Sequence, residues 1–417
     1  MALRLRSANR QTMREINQAL VLGAIRDRGP ISRTEVADVT RLSPGTITGI
    51  TAALIDQELV VEVEEGISTG GRRPILLALN HRAGLVVGVK LTETHVTVAL
   101  TDLGADLVER QEIALGDDRS PEAVVAQLVG LVEEVRACHP GHRLFGLGLG
   151  MAGVIDRPAG ICRFSPFLHW RDVPLRHLLE ERLGLPVVVE NDVNALAMAE
   201  LWFGAGAGVP DFLVVTLGRG IGLGMVLDGR LYRGGHGGGG EFGHLTLDVD
   251  GPRCNCGKRG CLEALVAEPA IVRAVHAATG KDFAIDEAAA RARAGDQAIR
   301  VVFEAAGRTL GLALAHLVNL FNPTLLIVGG EGAPTLDLLQ GPMEQTLRLN
   351  CFDGLLDDVR LVVEPWGDDA WARGAAGLML DELFRPTLFH GEEARVSLAA
   401  GVRSQEAGVR EPAEGAA

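Results

Sequence analysis

The densest chemistry in the chain lies in EFGHLTLDVDGPRCNCGKRGCLE, residues 241–263. It holds one imidazole, His244, and three thiols, Cys254, Cys256 and Cys261, the complement of a closed tetrahedral zinc site. With no open position such a zinc is structural, four fixed ligands stapling a loop that has little apolar content of its own. Three of the chain's six cysteines fall in this one stretch, which suits a metal site better than a disulfide framework.

A second chemistry is spelled out near the N-terminus. Residues 10–28 place Ile16, Leu20, Val21, Ala24 and Ile25 at helical spacing before Gly29-Pro30. Ser32 followed by Glu35 has the capping-box pattern, with Val36 and Val39 directed inward. Ser43 is the next N-cap and Pro44 the first residue of a third helix, whose buried stripe is Ile47, Ile50, Leu54 and Ile55. LVVEV (59–63) and ILLAL (75–79) then read as a hairpin around EEGISTGGRRP. Helices, tight turn and wing in this order predict a winged helix-turn-helix that binds double-stranded operator DNA. The exposed face of the third helix offers Thr46, Thr48, Gly49 and Thr51 to base edges, next to Ser43, while Arg41, Arg72 and Arg73 are placed for phosphates or a minor groove.

The elements that must position these groups follow from the texture of the chain. A length of 417 residues implies two or three domains, and the boundaries are expected at 1–80, 81–385 and a flexible tail at 386–417. The 47% hydrophobic residues are dispersed, with no run of 18, so no membrane span is expected. The start MALRLRSANR lacks a signal-peptide core, which points to the cytoplasm. The formal charge is −14, but residues 1–80 carry 10 Arg against 9 Asp and Glu, net +1, leaving −15 for the rest. Only the first segment approaches a phosphate backbone without strong repulsion. From residue 84 onward, apolar strands such as LVVGV, LFGLGLG, LPVVVE, FLVVTL and TLLIVGG alternate with helical stretches, predicting α/β architecture in two related lobes around a cleft.

From residue 9 to about 385 the chain resembles the ROK family of repressors, open reading frames and sugar kinases. The resemblance is carried by LGRGIGLGMVLDGRLYRGGHGGGGEFGH (217–244), the zinc loop after it, ENDVNALAMAE (190–200), and STGGRRP in the wing, which is similar to that of members with an N-terminal DNA-binding domain. It implies a winged helix-turn-helix followed by the two-lobed, actin-like (ribonuclease H-like) sugar-kinase fold, acting as a homodimer or dimer of dimers. It also implies a sugar site of Asn191, Asp192, Glu241, His244 and Glu263. Carboxylates, an amide and an imidazole suit a ring of hydroxyls, each of which must be paired when buried. His244 is then shared, with one nitrogen on zinc and the other toward the sugar.

In the family's kinases Asp192 stands at the position of the general base. Phosphoryl transfer also needs a glycine turn around the phosphates, normally Asp-x-Gly-Gly-Thr after the first strand. Here that segment reads Lys90, Leu91, Thr92, Glu93, Thr94, and Gly218-Arg219-Gly220 has Arg where kinases usually have Thr. Phe167 replaces an Asn that in relatives often touches the sugar. No ATP and no enzymatic turnover are therefore expected, and the chain reads as a regulator of carbohydrate-utilisation genes whose effector domain binds a sugar. Two other readings remain open on the residues: an ATP-dependent sugar kinase with an appended DNA-binding domain, and a DNA-binding protein whose signal is a protein partner.

Overall fold

The computed structural model describes residues 10–65, 74–364 and 366–384. Two compact units emerge: residues 1–149, 156–189 and 375–417 in one, and residues 150–155 and 190–374 in the other.

The first unit opens with α1 (Arg10–Arg28), β1 (Ile31–Ser32), α2 (Arg33–Thr40), α3 (Pro44–Asp56), β2 (Val60–Glu65) and β3 (Ile75–Leu79). The capping box is made as expected: Ser32 Oγ accepts from the Glu35 amide, and the Glu35 carboxylate accepts from the Ser32 amide. Ile16, Val21, Leu22, Ile25, Val36, Ile47, Leu54 and Leu77 form the buried core. Leu20 and Val39 depart from expectation, at 38% and 39% exposure. The eight-residue α2 buries only Val36, so Val39 sits at its rim, and Leu20 lies off the stripe formed by Ile16, Val21, Ala24 and Ile25. Ile55 is half-buried. The hairpin is present, with Val60 opposite Leu79, and β1 adds a short third strand through Ile31 opposite Leu77. Residues 66–73 lie outside the described residues, and with them Arg72 and Arg73; so does the expected tail at 386–417.

The same unit continues with β4 (Leu85–Leu91), β5 (His95–Asp102), β6 (Leu107–Ala114), α4 (Pro121–Cys138), β7 (Leu144–Met151), β8 (Val154–Asp156), β9 (Ile161–Ser165), β10 (Trp170–Val173), α5 (Leu175–Leu183) and β11 (Val187–Asn191). Its main sheet has the order β11-β7-β4-β5-β6. β4 and β7 are buried along their whole length, which is why both read as continuous apolar and glycine runs rather than as alternating strands.

The second unit contains α6 (Asp192–Phe203), β12 (Phe212–Leu217), β13 (Ile221–Leu227), β14 (Arg230–Tyr232), α7 (Leu262–Val266), α8 (Glu268–Thr279), α9 (Ile285–Arg293), α10 (Gln297–Phe321), β15 (Leu325–Gly329), α11 (Leu336–Asn350) and β16 (Arg360–Glu364), and α12 (Asp368–Phe384) runs from it into the first. Its sheet order is β14-β13-β12-β15-β16. In both sheets the first strand is central, the next two extend one side and the last two the other, which is the repeat expected of two related lobes. α10 is long and apolar enough to cross a membrane by length and composition. Its Phe303, Leu310, Leu314 and Leu317 are instead buried in the core of this unit, along with Met343 of α11.

Candidate functional site

Between β14 and α7 the chain runs for some thirty residues almost without regular structure, so something other than a ladder must hold it. The ligand atoms of His244, Cys254, Cys256 and Cys261 all lie within 4.8 Å of one another. His244 Nδ1 is 3.6 Å from Cys254 Sγ, and Cys256 Sγ is 3.6 Å from Cys261 Sγ. Backbone bonds from the Cys254 amide to the Lys258 carbonyl and from the Gly257 amide to the Cys254 carbonyl fold the cysteine turn. Gly260 is obligatory there: its φ of 61° is left-handed, and a Cβ would meet the Asp248 carbonyl. Burial pushes the Cys254 thiol up to about 12. Three thiols and an imidazole converging on one point make a donor set that fits a thiolate-binding cation.

The sugar-binding candidates fall into two groups, both in the second unit. Around the cysteine loop, His244 turns Nε2 toward Glu241, 3.9 Å away, while Nδ1 faces Cys254. Glu263, on the first turn of α7, stands with Oε1 3.8 Å from Cys254 Sγ and accepts the Ile221 amide at 3.4 Å through Oε2. The cysteine loop and these carboxylates are thus contiguous. At the head of α6, Asn191 is the N-cap: its Oδ1 accepts from the Val193 and Asn194 amides, and its Nδ2 donates to the Gly153 carbonyl. Asp192 accepts the Val193 amide through Oδ1. The Asn191 amide group therefore serves the fold as well as any ligand.

Two further residues escaped the sequence reading. Glu190, 1% exposed, accepts from Arg233 Nε, from Asn194 Nδ2 and from the Asn191 amide. Arg233 begins the glycine tract leading to Glu241, and its carbonyl accepts the Gly239 amide at 2.9 Å. The pair couples the head of α6 to that tract. The available signal was a carboxylate ending the apolar run LPVVVE, which a buried strand end tolerates only with a partner.

The segments aligned with the kinase phosphate loops, read above as degenerate, are engaged in contacts of their own. In the turn between β4 and β5, Thr92 Oγ1 accepts the Thr94 and His95 amides and donates to the His95 carbonyl. Lys90 is buried in β4 at 2% exposure. In the turn after β12, Gly218 donates to the Gly220 carbonyl, and the Glu268 amide donates to the Gly218 carbonyl. Desolvation and then the nearby Glu331 raise the Glu268 carboxyl. Phe167 is 40% exposed.

On α3, Ser43 caps the helix by accepting the Thr46 amide. Arg41, Ser43, Thr48 and Gly49 are exposed and Thr46 is half-buried. Thr51 corrects the expected reading face, because it is fully buried and accepts Arg33 Nε at 3.1 Å. Arg33 also pairs with Glu62 of β2, so this contact locks α2, α3 and the hairpin together.

A model described as "ROK family" matches residues 86–382. Over 394 residues, 90% of this chain and 98% of the relative, the chain is 30% identical to a putative xylose repressor of Caldicellulosiruptor sp.. It is 30% identical to the xylose repressor of Bacillus subtilis over 376 residues, 90% and 97% of the two chains. It is also 32% identical to the transcriptional dual regulator NagC of Escherichia coli over 333 residues, 78% and 82% of the two. Among solved structures, a ROK family transcriptional regulator, a homologue of the E. coli Mlc protein, superposes with a TM-score of 0.81 at 31% identity, covering 90% of this chain and 98% of that one. A ROK family glucokinase from Streptomyces griseus, with glucose and AMPPNP, gives 0.62 at 31% identity and covers 71% and 99%. Fold, cysteine loop and sequence thus converge, and the chain belongs to the ROK family.

Proposed function

We propose that the chain is a sugar-responsive transcriptional repressor: a winged helix-turn-helix of residues 1–80 binds operator DNA, and an effector domain of about 81–385 binds a sugar without phosphorylating it. The observation that carries this reading is coverage. The two xylose repressors and the regulator structure match 90% of the chain, whereas the glucokinase matches 71%. The sugar contacts are Asn191, Asp192, Glu241, His244 and Glu263, and a structural zinc on His244, Cys254, Cys256 and Cys261 orients the last three. Held by these four residues, a zinc ion would neutralise the crowded thiolates, and His244, fixed through Nδ1, would present its other nitrogen to the ligand.

Loss of phosphoryl transfer is supported by the Thr92 turn, whose Thr94 and His95 amides are satisfied by a side chain rather than left open to an anion, by Glu93 in that turn, and by Glu331 and Glu268 beside Gly218 in the second segment. Relief of repression follows if the sugar favours an arrangement of a cytoplasmic homodimer, or dimer of dimers, in which the two α3 helices no longer match half-sites; this requires different sugar affinities in the two states. The test measures operator binding by fluorescence anisotropy with pentoses, hexoses and amino sugars, alongside a coupled ADP assay. One sugar weakens operator binding, and no sugar yields ADP. Sugar-dependent ADP formation abolished in Asp192→Asn would establish the kinase reading instead, and a sugar that binds without changing operator affinity would refute the coupling.

A further inference from the structure

We propose that Thr48 is the specificity-determining residue of α3, and that it reads the 5-methyl group of thymine by van der Waals contact rather than donating a hydrogen bond to a base edge. The inference rests on the operator-binding reading and deepens it.

Gly45, Thr48, Gly49 and Ala52 are exposed at spacings that place them on one face of α3. Thr48 carries the only hydroxyl on that face, and its Oγ1 donates to the Pro44 carbonyl at 2.9 Å. Thr51 is turned inward, donating to the Thr48 carbonyl and accepting Arg33. Ser43 and Thr46 bond to each other at 2.9 Å at the cap. Arg33 is held by Glu62. On the face of Gly45, Thr48, Gly49 and Ala52 the one side-chain hydroxyl hydrogen is thus engaged with the Pro44 carbonyl rather than directed at purine N7 or guanine O6, the acceptors that major-groove readers use. What the exposed Thr48 side chain presents is its Cγ2 methyl, and the matching apolar feature of the groove is the thymine methyl.

Gly49 adds a separate observation. Glycine in a helix interior is destabilising relative to alanine. Among the described residues, helix backbone and chain neighbours aside, nothing lies within 4 Å of where a Cβ would stand at Gly49, or at Gly45. No packing among the described residues accounts for the missing side chain, whereas close approach of the helix to the groove floor does.

The experiment uses the full chain and a duplex that it selects from a random pool. Thr48→Val keeps the methyl and loses the hydroxyl; Thr48→Ser does the reverse. We expect Thr48→Val to bind within about 2-fold of the parent and Thr48→Ser to bind about 4-fold more weakly, the worth of one buried methyl. Replacing the contacted dT by dU costs the parent the same factor and costs Thr48→Ser nothing more. Gly49→Ala raises the melting temperature and weakens operator binding, opposite signs that a purely structural role does not give. The proposal is overturned if Thr48→Ser binds like the parent while Thr48→Val fails, or if no single dU substitution matters to the parent. A pool that yields no enriched duplex defeats the operator-binding reading itself, whereas an enriched duplex insensitive to dU defeats only the assignment to Thr48.

Discussion

Removing the guanidinium of Arg233 should loosen the head of α6 far more than the loss of an ordinary ion pair. Its partner Glu190 has a side chain only 2% exposed, against 17% for Arg233. In Arg233→Met the carboxylate stays buried with two donors, the Asn191 amide and Asn194 Nδ2. Breaking a buried pair from one side costs about 3 to 5 kcal/mol, because the remaining charge is stranded, and the two surviving donors place this case near about 3 kcal/mol. A chain of several structural units does not unfold in one step, so the opening at this helix head calls for a local probe. Hydrogen exchange at the Val193 and Asn194 amides, both held by Asn191 Oδ1, reports the local opening. The expected loss of protection is roughly 100-fold, from about 1.4 kcal/mol per factor of ten. The double variant Glu190→Gln/Arg233→Met, which leaves no stranded charge, recovers most of it. A loss under about 5-fold in Arg233→Met, the scale of an exposed pair, would refute the claim that this contact sets the head of the helix.

Three other outcomes follow from the geometry. Stripping metal with a strong chelator should release about one zinc per chain by elemental analysis and open residues 244–261 to protease, with Cys261→Ser reproducing the effect; full resistance without metal would remove the stapling role. Glu109 is held below its ordinary value of 4.5, first by the hydrogen bond from His139 and then by that from Gln111. A depressed carboxylate contributes stability above its unfolded pKa and loses it as pH falls through the folded value, so melting temperature should fall below about pH 4.5 more steeply for the parent than for Glu109→Gln. The difference should stay under about 1 kcal/mol at this partly exposed site, and parallel pH profiles would contradict it. Ser32→Ala deletes the side-chain half of the capping box on α2 and should cost about 1 kcal/mol, read as a lower melting temperature of the N-terminal segment, while an unchanged transition would mean the cap is redundant.

Much of the molecule was legible before folding because the relevant physics is local. Ser32 with Glu35, and Ser43 with Pro44, announce two helix starts within a turn, since capping depends on residues three apart. Runs such as LFGLGLG and FLVVTL announce buried strands because both faces are covered. The candidate metal ligands stood out because one imidazole and three thiols in so short a loop have few other uses. What the tertiary structure decided was which side of an element faces a neighbour it meets far along the chain. Local spacing places Thr51 on the base-reading face, yet Arg33, eighteen residues earlier, holds it inward; the same spacing places Val39 in the core, yet the short α2 has room for Val36 alone. Glu190 and Arg233, forty-three residues apart, gave no periodic or motif signal linking them. Their pairing exists only because the strand ending at Asn191 and the glycine tract after β14 meet in space, and a charge with no partner cannot remain buried there.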